Sequence, residues 1–355
     1  MSPPGRPKGE FRSAQHEGTP MTEELIDVHT HVVPENFPAY AGRHTAVPWP
    51  AMVPAQACHR HVMVSGKVYR TVSHQCWDCQ VRLADMDQRG VARQVLSPMP
   101  ELLSYWLAPE DGLGLCRYLN DLIAGMVAQV PARLVGLGAV PLQDIDLAIA
   151  ELDAVVHQRG LAGVEIAGHV NGVAIGDARF RPFFEAAEAW GAAIFVHALR
   201  PAGMRRLVGP PALEQVLAFP GEVGLAAASL LTGGTLAACP GLRIAFSHGG
   251  GSLPTLLPRL RHAWRVLPAV RDVLGMDPLL AARQMYYDDL VYDADALRRL
   301  VELFGIHQLL AGSDYPFAIM DPDPAGSIAA LGLDGASLAA LRGGNARRWL
   351  GLATP

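Results

Sequence analysis

Five residues stand where their types and positions could do chemistry. His29 and His31 lie in LIDVHTH, His197 closes AAIFVH, His248 closes RIAFSH, and Asp314 follows the apolar run of LLAGSDYP. Residues two apart in a strand share a side, so His29 and His31 can address one centre if Thr30 points away. Taken alone, such a pair could equally be two hydrogen-bonded core histidines. The other strand ends shift the balance, because an unpaired buried carboxylate is costly and a divalent cation removes that objection. Imidazole nitrogens with one carboxylate oxygen suit Zn2+ first, with Mn2+ and Fe2+ as alternatives. A cation held this way with one open position activates water near neutral pH. Spacing does not say which histidine would bind metal and which would move protons.

These residues need a scaffold that gathers distant strand ends. Eight short apolar segments read as strands: Leu25–His29, Ala92–Ser97, Leu134–Ala139, Ala162–Ile166, Ala192–His197, Arg243–His248, Gln284–Asp288 and Gln308–Asp314. Helical patterns separate them, clearest at Ile145–Val156, Pro182–Trp190, Leu213–Phe219, Pro254–Val266 and Asp295–Leu303. Eight alternating units predict an α/β fold, a (β/α)8 TIM barrel, whose chemistry sits at the carboxyl ends of its strands. No glycine-rich dinucleotide fingerprint follows the first strand, which counts against an open Rossmann sheet. One interval breaks the rhythm. Residues 35–80 predict a small β-containing insertion after strand 1, with a hairpin at Ser65–Gly66, forming a lid or wall of the pocket. Residues 1–22 read as a disordered arm, and residues 23–355 as the barrel.

Composition narrows the rest. The chain has 355 residues, a formal net charge of −5, and only 18% charged residues against 50% hydrophobic. Mild acidity without a basic face argues against nucleic acid. No uninterrupted apolar run approaches the ~18 residues of a membrane span. The five cysteines, an odd number, point to a reducing compartment and a cytoplasmic location. Cys76 and Cys79 form a lone C-x-x-C, read as ordinary thiols, with an incidental metal site or redox use as alternatives. Low surface charge leaves room for a subunit interface.

The ordered segments LIDVHTHVVPENFP, QCWDCQVRLADMDQRGVARQVLSPMP, GLGAVPLQD, GVEIAGHVNG, IFVH, FSHGGGSLPTLLPRLRH and LLAGSDYPF resemble one known family. It is the 2-amino-3-carboxymuconate-6-semialdehyde decarboxylase-like branch of the amidohydrolase superfamily, and the similarity runs from about Leu25 to Trp349. The resemblance implies one divalent metal per subunit, generally zinc, held by His29, His31, His197 and Asp314, with His248 as the catalytic acid/base. It implies that Arg82 holds the substrate carboxylate and that Arg259 does so from the partner subunit of a homodimer or higher homo-oligomer. Glu165 and His169, at the end of the fourth strand, are candidates to support the ligands. One departure stands out. The family follows its fifth-strand histidine with Pro-Trp-Asp, whereas this chain reads Ala198, Leu199, Arg200, so Arg200 either meets an additional anionic group or faces solvent.

The expectation is therefore non-oxidative decarboxylation of a small conjugated carboxylic acid. The substrate would be 2-amino-3-carboxymuconate 6-semialdehyde or a related ring-cleavage or aromatic acid, and no organic cofactor is called for. The alternative is hydrolysis of a lactone, amide or related acyl compound by the same apparatus.

Overall fold

The computed structural model describes residues 24–353; the expected N-terminal arm lies outside the described residues. Eight parallel strands form the barrel: β1 (Ile26–Val32), β5 (Arg93–Pro98), β6 (Leu134–Gly138), β7 (Gly163–Ala167), β10 (Ala193–His197), β11 (Ile244–Phe246), β12 (Tyr286–Asp288) and β13 (Leu309–Leu310). The first and last strands meet through backbone bonds, Val28 N to Ala311 O at 2.8 Å and His31 N to Tyr315 O at 2.7 Å. Ser313 adds side-chain closure by donating its hydroxyl to the buried Asp27 Oδ2 at 2.5 Å. The expected barrel is thus present, strand for strand.

The sixth and eighth strands are shorter than the sequence suggests. They end at Phe246 and Leu310, and a few residues further on the backbone turns to positive φ at His248 (φ 55°) and Asp314 (φ 65°). Asp314 N still bonds His29 O at 2.8 Å, which keeps this turn against the end of the first strand.

The surrounding helices are α1 (Cys79–Gln88), α2 (Pro109–Gln129), α3 (Ile145–Asp153), α4 (Arg181–Ala189), α5 (Phe219–Thr232), α6 (Thr235–Ala238), α7 (Leu253–Val266), α8 (Pro268–Leu274), α9 (Pro278–Ala282) and α10 (Ala294–Phe304). Asp78 caps α1 by accepting from the backbone N–H groups of Gln80 and Val81, and Asp293 caps α10 through Ala296. A π turn over Glu214–Ala218 leads into α5, which runs well past the predicted end at Phe219. Pro220 lies in the first turn of α5, directly after that π turn, and does not end the helix. Glu214–Thr232 is the one helix among the described residues long and apolar enough to match a membrane span. It packs Phe219, Val223, Ala226, Ala227 and Leu230 into the barrel's core.

Two clusters position the site. Inside the barrel, Ile26, Val28, Val95, Leu137, Phe195 and Leu310 pack on Trp349 from the C-terminal helix Asn345–Leu350. Each such buried side chain contributes about 1.5–3 kcal/mol. The insertion folds as an antiparallel sheet of β2 (Ala51–Pro54), β3 (His59–Val64) and β4 (Lys67–Ser73), with β3 and β4 joined at Ser65–Gly66, and a small hairpin of β8 (His169–Val170) and β9 (Val173–Ala174) follows β7. Val62, Val64 and Val72 bury against Leu102, Leu115 and Leu119, so the sheet shares a core with the barrel's upper rim.

Candidate metal centre

The first strand is bulged between Asp27 and Thr30. Beyond the bulge Thr30 points away, donating its hydroxyl to Val95 O at 2.7 Å. His29 and His31 then face each other across the barrel mouth, Nε2 to Nε2 at 3.1 Å. Asp314 Oδ1 lies 3.1 Å from His31 Nε2 and 3.6 Å from His29 Nε2. His197 completes the group: one donor atom from each of His29, His31, His197 and Asp314 lies within 4.8 Å of all the others.

The donor set fits a metal ion for a reason beyond proximity. His197 Nε2 and Asp314 Oδ1 are buried with no hydrogen-bond partner. Such orphaned atoms are rare unless something else satisfies them. Each histidine meanwhile has its other nitrogen engaged: His29 Nδ1 at 2.7 Å from Asp288 Oδ2, His31 Nδ1 at 3.3 Å from Pro98 O, and His197 Nδ1 at 2.9 Å from Ala198 O. That arrangement fixes the tautomer and aims three Nε2 lone pairs at one point.

Electrostatics follow from burial and the carboxylates. Burial opposes a charge on His29, but the Asp288 hydrogen bond and the Asp314 charge outweigh it and lift the imidazole to about 9. Burial lowers His31, and burial with the neighbouring imidazoles drives His197 well below its ordinary value. Burial also disfavours charge on Asp314, yet the adjacent imidazoles, His31 foremost, hold it below the usual carboxylate range.

His248 stands beside this group without joining it. Its ring centroid is 5.4 Å from that of His29 and 5.1 Å from that of His197, and its Nδ1 lies 3.0 Å from Ser247 Oγ. Burial and the His29 charge lower it to about 4, leaving a neutral imidazole at the cavity wall. The glycines after it allow this placement. Gly249, at φ 62°, donates its N–H to Asp288 Oδ1 at 2.8 Å, and a methyl on Gly251, at φ 57°, would collide with the Pro220 carbonyl oxygen.

The mouth opens into a cavity of about 510 Å³ lined by His248, Asp314, Phe219, Leu290, Tyr292 and Met320, among others. A recess of only about 20 Å³ beside it is lined by His31, His197, Asp314, Arg70, Glu101 and Phe317, among others. Arg70 comes from β4. Its guanidinium carbon sits 4.0 Å from the Phe317 ring centre, and that ring stacks on His31 at 5.1 Å.

Several expected residues stand elsewhere. Arg82 is fully buried between α1 and the barrel, donating to His31 O at 2.7 Å, Gln94 Oε1 at 3.0 Å, Gln75 O at 3.1 Å and Thr30 Oγ1 at 3.3 Å. It braces the end of β1 and lines neither the cavity nor the recess, because α1 buries that face against the strands. Arg200 faces neither a free anion site nor open solvent alone. Its Nε donates to Glu101 Oε1 at 3.0 Å, and its guanidinium carbon lies 3.1 Å from the Trp106 ring centre. His169 is half-buried and reaches Arg200 O, with Nε2 at 3.3 Å, so it supports that turn and no ligand. Glu165 does sit by the ligands, its Oε2 accepting from Ser97 Oγ at 2.5 Å and lying 3.9 Å from His31 Nδ1. Burial raises Glu165 to about 8 despite the Ser97 bond. Arg259 is exposed on α7 and lines neither the cavity nor the recess. Cys76 and Cys79 are buried free thiols.

Three residues escaped the sequence reading. Asp288 ends the seventh barrel strand and Glu101 follows the second, so the strand-end criterion that found the ligands also reaches them. Arg70 lies in the insertion, where only the alternation of KVYRTVS carries a signal and nothing separates it from other surface arginines.

An amidohydrolase family model matches residues 26–352. A 2-amino-3-carboxymuconate-6-semialdehyde decarboxylase of Dictyostelium discoideum is 35% identical over 330 residues, covering 92% of this chain and 91% of that protein. Among solved structures, 5-carboxyvanillate decarboxylase from Sphingomonas paucimobilis superposes with a TM-score of 0.74 at 25% identity, covering 93% of this chain and 99% of that one. A dihydroxybenzoic acid decarboxylase from Polaromonas, with bound manganese and the inhibitor 2-nitroresorcinol, gives a TM-score of 0.73 at 21% identity, covering 94% and 98%. A barrel of this topology, with its converging ligands and these likenesses along nearly its whole length, belongs to the amidohydrolase family, in the branch of metal-dependent non-oxidative decarboxylases akin to 2-amino-3-carboxymuconate-6-semialdehyde decarboxylase.

Proposed function

We propose that the substrate is 2-amino-3-carboxymuconate 6-semialdehyde or a closely related ring-cleavage or aromatic acid, decarboxylated with a divalent metal held by His29, His31, His197 and Asp314. The observation that carries this reading is the pair of orphaned atoms, His197 Nε2 and Asp314 Oδ1, beside a neutral His248 and the Arg70 recess. Zinc suits three imidazoles and one carboxylate and is the first choice, with manganese the competitor.

The metal, when bound, supplies Lewis-acid polarisation of an oxygen atom in the cavity. Arg70 presents paired N–H donors to a substrate carboxylate, in the role that sequence reading gave to Arg82. Phe317 holds Arg70 at a fixed height above His31. Cleaving the carbon–carboxylate bond leaves an electron pair that needs a proton. The carboxylate plus one proton gives the C–H product and CO2; His248, neutral at rest, takes that proton from solvent at the cavity mouth, hands it to the carbon that loses CO2 and returns to its neutral form. Phe219, Leu290 and Met320 give that side of the cavity an apolar lining.

We also place the active unit as a homodimer, with Arg259 entering the partner's site. Support comes from the exposed apolar side chains near it on α7 to α9, Leu256, Val266, Leu267, Val273 and Leu280. The free cysteines fit a reducing cytoplasm. The test is stoichiometric CO2 release by metal-loaded enzyme from 2-amino-3-carboxymuconate 6-semialdehyde and several hydroxybenzoates, with mass analysis of the products. Release that vanishes in His248→Ala, with metal retained, supports the reading. An opened acyl bond with all carbon kept overturns it in favour of hydrolysis. Light scattering of wild type and Arg259→Ala tests the dimer, and a monomeric wild type sinks it.

A further inference from the structure

Two charged side chains of opposite sign share the wall of the recess beside the metal ligands. Arg70 and Glu101 both line it, while Met99, Pro100, Leu199 and Phe317 make much of the rest apolar. Glu101 is only 7% exposed. Its Oε1 accepts the 3.0 Å bond from Arg200 Nε, and Arg200 is itself pinned, stacked on Trp106 and bonded through its carbonyl to His169. Arg200 also adopts φ 45°, a left-handed conformation that this chain holds just where Arg200 meets Glu101. A cation fixed from behind therefore holds a carboxylate in the pocket wall, and Arg200 Nε engages one of its two oxygens. Arg200 keeps that carboxylate paired, so it can stay in a largely apolar wall with an oxygen facing the recess.

We infer that Glu101 is a specificity-determining residue that accepts a hydrogen bond from a hydroxyl or amino group of the substrate, while Arg70 takes the carboxylate. The inference rests on the acid-decarboxylase reading and narrows it to amino- or hydroxy-substituted conjugated acids. An acid without such a donor leaves Glu101 with its Arg200 bond alone, and one with a second carboxylate on that side meets like charge.

Calorimetric titration of metal-loaded protein with benzoate, its three monohydroxy and its three monoamino derivatives tests this. Wild type should bind at least one donor-bearing acid roughly 10- to 100-fold more tightly than benzoate. Glu101→Val should bring that ratio close to 1, with Glu101→Gln as the milder variant and thermal melting and metal content confirming that both are folded. A ratio unchanged in both folded variants would assign Glu101 a structural role and overturn the inference. Equal binding of all seven acids by wild type overturns the inference alone, whereas no binding of any acid overturns the decarboxylase reading together with it.

Discussion

Asp288 Oδ2 lies 2.7 Å from His29 Nδ1, joining residues 259 positions apart, while its Oδ1 accepts the backbone N–H of Gly249 beside His248. One carboxylate thus orients a metal ligand and anchors the turn that presents the acid/base. Asp288→Asn keeps the shape but replaces the charge that favours His29 Nδ1–H. Metal affinity should fall about 10- to 100-fold, read by competition with a chromophoric chelator, with little change in far-UV circular dichroism. Undiminished affinity would show that His29 needs no such partner.

Arg70 and Arg82 should separate cleanly. Arg82→Met leaves the His31 and Gln75 carbonyls and Gln94 Oε1 without their buried donor, so stability should drop by about 3–5 kcal/mol in urea denaturation. Arg70→Met touches a partly exposed side chain of β4 and should hold stability within about 1 kcal/mol, yet raise KM for the acid strongly. The reverse pattern would return the carboxylate to Arg82.

The metal-free protein should weaken as pH rises from 6.5 to 9. His29 titrates at about 9 in the fold against 6.5 free, and Glu165 at about 8 against 4.5. Both bind their proton more tightly when folded, so their stabilising contribution is complete at low pH and is lost as pH climbs through the folded values. His31, His197 and His248 shift the opposite way, but their effect is spent below 6.5. The net loss should be on the order of 3 kcal/mol, measured by denaturation in the presence of a chelator. A metal-free protein equally stable at both pH values would contradict these protonation states.

Gly251→Ala should be damaging out of proportion to its size. The position combines φ 57° with a backbone carbonyl where the new methyl would go. Destabilisation of about 2 kcal/mol or more is expected, with loss of turnover as His248 shifts. A fully active, equally stable variant would show that the glycine run is not sterically required.

The parts of this molecule legible in the sequence are those where backbone direction alone decides the outcome. Alternation along β1 and the abrupt ends of apolar runs place His29, His31, His197 and Asp314 together, because a parallel barrel forces all strand ends to one rim. Where a side chain must choose between two faces, the reading fails. Arg82 sits on a helix and could aim at the mouth or into the wall; burial against β1 decides for the wall. The fate of Arg200 depends on a positive φ and on Trp106 and Glu101, nearly a hundred residues away, none of which spacing reveals. The length of α5 was hidden by Pro220 and two glycines. Gly224 belongs there because a side chain would strike Ser252 at the start of α7.

Beneath His29 the barrel is stoppered. Phe195 lies under the imidazole at 5.0 Å, and Trp349 packs below it with its indole N–H on the Arg243 carbonyl at 3.2 Å. Among the described residues this plug turns released gas and the shortened acid back toward the rim by which the reactant arrives.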